Sequence, residues 1–126
     1  MKEGCGIRIR VHLSGEKPVV LPKYYQHLLQ AVIYQMIPDK QMRERLHNEG
    51  YRLEKRSFKL ISFSWLQGAY QINKQTIIFP ANFCFEIGSI FSEIIQTFAE
   101  ALLRKGSIRF GYQWVQVEEV EMIEPP

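Results

Sequence analysis

The sequence predicts an α+β fold, an antiparallel sheet with helices packed on one of its faces. Three observations predict it. Residues 7–13 alternate between apolar and polar, two longer stretches repeat their apolar residues at three- and four-residue steps, and further short strand-like stretches lie between and after them. With 126 residues, 46% of them hydrophobic and 23% charged, the chain has the size and composition of one globular unit spanning residues 1–126. No repeat, linker or low-complexity tract divides it.

The first strand carries Ile7, Ile9, Val11 and Leu13 on one side and Arg8, Arg10 and His12 on the other. One side is therefore buried and the other is basic. Ser14-Gly15 and Lys17-Pro18 break the strand. From Tyr24 to Ile37 the residues Tyr25, Leu28, Leu29, Val32, Ile33, Met36 and Ile37 form one stripe of an amphipathic helix, with Pro22 just ahead of its start. Pro38 ends this helix. Asp39 caps a shorter one carrying Met42 and Leu46, which stops at Gly50.

Residues 58–66 read as a strand with apolar residues on both faces, as in a central strand. Tyr70–Ile72 and Thr76–Phe79 follow as a strand pair around Asn73-Lys74-Gln75. A long helix over Ser89–Lys105 buries Phe91, Ile94, Ile95, Phe98, Ala101 and Leu102. Arg104 and Lys105 suit its negative end, and Gly106 caps it. The last β segment runs from Ile108 to Ile123, is punctuated at Gly111, and changes phase at Glu118-Glu119, the mark of a bulge. The order β, α, β, β, α, β is that of a ferredoxin-like (RRM-like) βαββαβ sandwich. It leaves one sheet face open, and Arg8, Arg10 and His12 fall on that face.

Composition excludes several classes. No run approaches the roughly 20 apolar residues of a membrane span, and Lys2, Glu3, Arg8 and Arg10 interrupt any secretory leader. The expected location is the cytoplasm. Cys5 and Cys84 lie far apart in no CxxC pattern, so free thiols are expected rather than a disulfide framework or a zinc cluster. The net charge of +3, from 16 basic and 13 acidic residues, permits an acidic partner without demanding one.

Two sets of residues carry possible chemistry. Tyr34 lies about 200° around the helix from both Val32 and Met36, away from the centre of the buried stripe. His47 falls in the last turn of the short helix, where the dipole favours an imidazolium. Lys59 opens the following strand. A phenol, an imidazole and an ammonium without nearby carboxylates suit no metal, and no cofactor is expected. They do suit phosphodiester cleavage: one group takes the 2′-OH proton, another protonates the leaving oxygen, and a cation meets the charge on phosphorus. By residue type alone the trio is not diagnostic, since surface histidines, tyrosines and strand lysines are mostly just solvated.

The second set is basic, with Arg8 and Arg10 on the first strand and Arg52, Lys55 and Arg56 in the loop before Lys59. Converging guanidiniums grip phosphate oxygens in pairs. A solvated loop is the ordinary alternative, and Glu54 dilutes this one. Phe63, Trp65 and Trp114 offer faces on which bases stack, although their strand positions favour core packing.

Several blocks resemble one family. Leu21-Pro22-Lys23-Tyr24-Tyr25, followed by Leu29-Gln30-Ala31-Val32-Ile33-Tyr34, is similar to the opening of the CRISPR-associated endoribonucleases that cut precursor CRISPR RNA (the Cas-six family). Leu46-His47-Asn48-Glu49-Gly50-Tyr51 resembles that family's Leu-His-x-x-Gly-aromatic segment. Phe58-Lys59-Leu60-Ile61-Ser62-Phe63-Ser64 resembles its Lys-Leu-Phe-Thr-Phe-Ser strand, and Ile108-Arg109-Phe110-Gly111 resembles the end of its first domain. The resemblance implies CRISPR repeat RNA as substrate and metal-independent cleavage to a 2′,3′-cyclic phosphate. It implies His47 as general acid or base, Tyr34 beside the sugar hydroxyl and Lys59 at the phosphate. It also implies a second domain with a glycine-rich loop; Gly106 and Gly111 read as a helix cap and a strand turn rather than as that loop. The chain is expected to match the amino-terminal half and to need a carboxy-terminal domain or a second copy to cover exposed apolar surface. Two alternatives remain at this level: a non-catalytic RNA-binding module, and a protein-interaction domain of the same fold.

Overall fold

The computed structural model describes residues 7–36, 61–89 and 92–123. The β-strands are β1 (Ile7–Ser14), β2 (Val19–Pro22), β3 (Ile61–Phe63), β4 (Gln71–Asn73), β5 (Thr76–Phe79), β6 (Phe83–Ser89), β7 (Ser107–Phe110) and β8 (Gln113–Ile123). The helices are α1 (Gln26–Gln35) and α2 (Ser92–Lys105).

β1 lies at the centre of a five-stranded antiparallel sheet of order β3-β6-β1-β8-β7. Its register sets the core. Ile9, Val11 and Leu13 face Ile87, Phe85 and Phe83 of β6 and Met122, Val120 and Val117 of β8. Ile9, Val11, Leu13, Phe83, Phe85 and Ile87 are all buried. Leu29, Val32 and Ile33 of α1 and Ile95, Phe98, Ala101 and Leu102 of α2 complete the same apolar cluster. Between His12 and Leu13 the β1–β8 pairing skips Glu118. That is the bulge predicted from the change of phase.

Taking β1, α1, β3, β6, α2 and β8 gives the βαββαβ order, and their sheet order β3-β6-β1-β8 is the ferredoxin-like one. The fold class is as predicted, but the strand assignment differs. The third core strand is β6, whose Phe83, Phe85 and Ile87 alternate with Cys84, Glu86 and Gly88. The β4–β5 hairpin instead pairs with β2 in a separate three-stranded sheet, β2-β5-β4. β2 was not foreseen, because Pro18 and Pro22 bracket it and mask a four-residue strand. With β6 in the neighbouring place, β3 is an edge strand, not a central one. The two sheets meet at Phe79 and Phe83, whose rings stack 5.0 Å apart.

Gly106 (φ 76°) accepts the end of α2, its N–H donating to Leu102 O at 2.9 Å. The predicted helix over residues 39–50, and also Phe91 and Cys5, lie outside the described residues. Among the described residues no helix is long and apolar enough to cross a membrane.

Candidate functional site

Tyr34 stands where its helical phase predicts. Leu29, Val32, Ile33 and Met36 are buried, whereas Tyr34 is 39% exposed. The helix that carries it is anchored by Tyr25. The Tyr25 carbonyl accepts from Leu28 and Leu29 N–H at 2.9 and 3.1 Å. Its hydroxyl accepts the buried Leu66 N–H at 2.8 Å, and its ring meets Trp65 edge-on at 5.5 Å. Burial pushes the Tyr25 phenol pKa up against the opposing Leu66 hydrogen bond, so this hydroxyl is a structural acceptor. At the other end the Met36 N–H is shared between Val32 O and Ile33 O. His47 and Lys59, the proposed partners of Tyr34, lie outside the described residues. So do Arg52, Lys55 and Arg56.

Arg8, Arg10 and His12 do face away from the buried side of β1. They are not a bare basic surface, however. Arg10 donates from Nε and one terminal nitrogen to Glu86 Oε2 at 3.3 and 3.0 Å, and from the other to Glu121 Oε1 at 3.5 Å. His12 Nε2 lies 2.9 Å from the same Glu121 oxygen. Arg8 reaches Glu86 Oε1 at 3.6 Å and Ser62 Oγ at 3.4 Å. The Ser14 hydroxyl donates to Glu118. The alternation of β1 alone reads as basic because the compensating acids sit on β6 and β8. Glu86 pairs in register with Arg10, and so does Glu121.

This geometry fixes the charge states. The His12 hydrogen bond, with Arg10 beside it, holds the Glu121 carboxyl below its ordinary pKa. The Glu86 hydrogen bond keeps Arg10 charged. Burial raises the pKa of the Cys84 thiol, Arg10 opposing and Glu86 reinforcing the shift, so Cys84 stays protonated. Among the described residues no group of three or more His, Cys, Asp or Glu side chains is placed to hold a metal ion.

Neither tryptophan is core. Trp65 is 56% exposed and Trp114 is 61% exposed. Phe63 alone of the three predicted stacking aromatics is half-buried and packs against the core. The core reading of the tryptophans fails for two reasons. Trp65 follows the short strand β3, and Trp114 alternates with the fully buried Val115.

No protein-family model and no curated protein matches the chain. Solved structures do. One described as a CRISPR associated protein Cas6 superposes with a TM-score of 0.72 and 28% identity, over 95% of this chain and 49% of that one. The chain is thus similar to a Cas6 protein over nearly its whole length. A Cas6-related protein from Pyrococcus furiosus matches with a TM-score of 0.66 at 19% identity, over 96% of this chain and 49% of that one. A protein described as "an RAMP protein binding different RNA substrates" matches with a TM-score of 0.70 at 19% identity, over 95% and 49% of the two chains. The likeness of these last two is one of fold. The present chain spans about half the length of the Cas6 structures it matches.

Proposed function

We propose that this chain is the amino-terminal domain of a Cas6-family protein, that it binds CRISPR repeat RNA in the cytoplasm, and that it contributes the cleavage residues of a metal-independent endoribonuclease. The observation that carries the proposal is the Cas6 match at 28% identity over 95% of the chain, together with the solvent-facing Tyr34 on the helix whose sequence resembles that family. Tyr34, His47 and Lys59 are proposed to meet at one ribose–phosphate linkage. The 2′-OH loses its proton, helped by Tyr34, and its oxygen bonds to phosphorus. The phosphorus–O5′ bond breaks, and O5′ takes a proton. His47 serves as the general acid or base, and Lys59 offsets the charge on the phosphoryl oxygens. The products are a 2′,3′-cyclic phosphate and a 5′-hydroxyl, so atoms and charge balance without a metal.

Arg52, Lys55 and Arg56 are proposed to hold phosphates near this linkage. Arg8 is proposed to join them, as its contact with Glu86 is long and its side chain is 44% exposed; Arg10, held by two carboxylates, contributes less. A second domain, or a second copy of this chain, is proposed to complete the RNA-binding surface. This follows from the half-length match to the Cas6 structures.

The test is cleavage of end-labelled repeat RNA in EDTA by this chain joined to a second Cas6 domain. His47→Ala is expected to slow cleavage by about 100-fold or more, the scale of a lost general acid–base group. Fragments ending in a cyclic phosphate support the reaction. Wild-type rates in the His47→Ala protein, or cleavage abolished by EDTA, overturn it.

A further inference from the structure

Where the turn after β1 meets the start of β8, the surface forms a groove of about 420 Å³. Lys17, Pro18 and Val19 line one side, and Gln113, Trp114 and Gln116 the other. The walls are fixed by two features. At Gly15 a Cβ would lie 2.8 Å from both Lys17 O and a Val19 methyl, so only glycine lets the turn fold back this tightly. Across the groove the Gln113 amide pairs with the backbone of Val20. Val20 N–H donates to Gln113 Oε1 at 2.8 Å, and Gln113 Nε2 donates to Val20 O.

The contents of the groove point to a ligand class. Trp114 is largely exposed on the open sheet face, with no aromatic partner among the described residues. Gln116, two residues along the same face, is also exposed. Lys17 makes no ion pair among the described residues. Arg109 lies in register with Trp114, and its Nε donates to Gly111 O at 2.8 Å, which holds the guanidinium at the hairpin turn. Glu16, the carboxylate in the lining, can accept from an exocyclic amine. A flat apolar platform, the Gln116 amide beside it and Lys17 in the lining match a nucleotide: base, base edge and phosphate. The volume suits one small ligand and not a helix. A base inside a duplex cannot offer its face to an indole, whereas an unpaired one can.

We propose that this groove binds one unpaired nucleotide of single-stranded RNA, with the base stacked on Trp114 and the phosphate beside Lys17. The proposal rests on the RNA-binding reading above. It places a specificity for unpaired RNA on the hairpin end of the sheet, away from Tyr34 on α1.

The chain has two tryptophans, so in a Trp65→Phe background Trp114 is the sole indole emitter. The probes are a ten-nucleotide single-stranded RNA, a blunt RNA duplex of the same length, and repeat RNA. The single strand is expected to quench Trp114 emission and the duplex to leave it unchanged. Trp114→Ala should weaken single-strand binding about 5- to 100-fold, and Trp114→Phe should restore most of it. Lys17→Ala should lower the log–log salt slope by about 0.7. If repeat RNA binds but the single strand does not quench Trp114, or Trp114→Ala binds it normally, the groove is overturned while the RNA reading stands. If no RNA binds at low salt, both fall. Self-association that depends on Trp114 without any effect on RNA assigns the patch to a protein contact and overturns the proposal.

Discussion

The centre and the hairpin end of one sheet face carry opposite designs. At the centre, Arg8, Arg10 and His12 lie among Glu86 and Glu121, and these three side chains all have acidic partners at 2.9–3.6 Å. At the hairpin end, Trp114, Gln116 and Arg109 share the face and Lys17 stands beside it, with no ion pair to any of them among the described residues. Half-exposed ion pairs contribute little stability, roughly 0–1 kcal/mol each. Their larger effect is to cancel charge. A polyanion meets a centre whose arginines are paired with acids and a rim where Lys17 and Arg109 form no ion pair among the described residues. The charge of a sheet face is thus a property of several strands, and no single strand reports it.

The largest expected effect separates foundation from surface. Phe85 is fully buried under the centre of the sheet. Phe85→Ala should cost about 3–5 kcal/mol in chemical denaturation, through lost transfer energy and a residual cavity. Trp114→Ala should change stability by no more than about 0.5 kcal/mol. Comparable losses at the two positions would mean that the hairpin end is structural after all, and the contrast drawn above would collapse.

A smaller effect tests what holds the rim in shape. Gln113→Ala removes both amide contacts to Val20. The expected cost is about 1–2 kcal/mol, two ordinary hydrogen bonds. Amide hydrogen exchange should quicken at Val20 and leave Arg10 and its β6 neighbours unchanged. Uniform quickening across both sheets would show that β2 and the five-stranded sheet open together, and the rim would not be a separate unit.

Legibility in the sequence follows the same division. β1, the two helices and the bulge at Glu118 were legible because each is long enough for its period to show. The hairpin 71–79 was found but placed in the wrong sheet, since pairing partners leave no local mark. β6 has a clear alternation, Phe83-Cys84-Phe85-Glu86-Ile87, yet no element was assigned between Phe79 and Ser89. Tyr34 was placed correctly because helical phase alone decides its exposure. The acids around Arg10 were not foreseen, since they sit 76 and 111 residues away along the chain. That register could have been sought by matching Glu86, the one charged residue of β6, to Arg10, the middle basic residue of β1.

The smallest effect bears on the paired centre itself. Glu86→Gln removes the carboxylate shared by Arg8 and Arg10. Stability should fall by less than about 1 kcal/mol, while RNA affinity should rise and its salt slope should steepen by about 0.7 for each phosphate newly engaged. Unchanged affinity would mean that the centre avoids RNA even when its cations are free. The partner experiment is a pH titration. Glu121 is held below its ordinary value by His12 and Arg10, so its contribution is present above the unfolded carboxylate pKa near 4.5 and is lost as pH falls through the depressed folded value. Thermal melts between pH 6 and pH 3, roughly the carboxylate range, should therefore show a steeper acid loss in the wild-type protein than in Glu121→Gln. Parallel acid limbs would assign the loss to other carboxylates and leave the Glu121 pairs energetically silent.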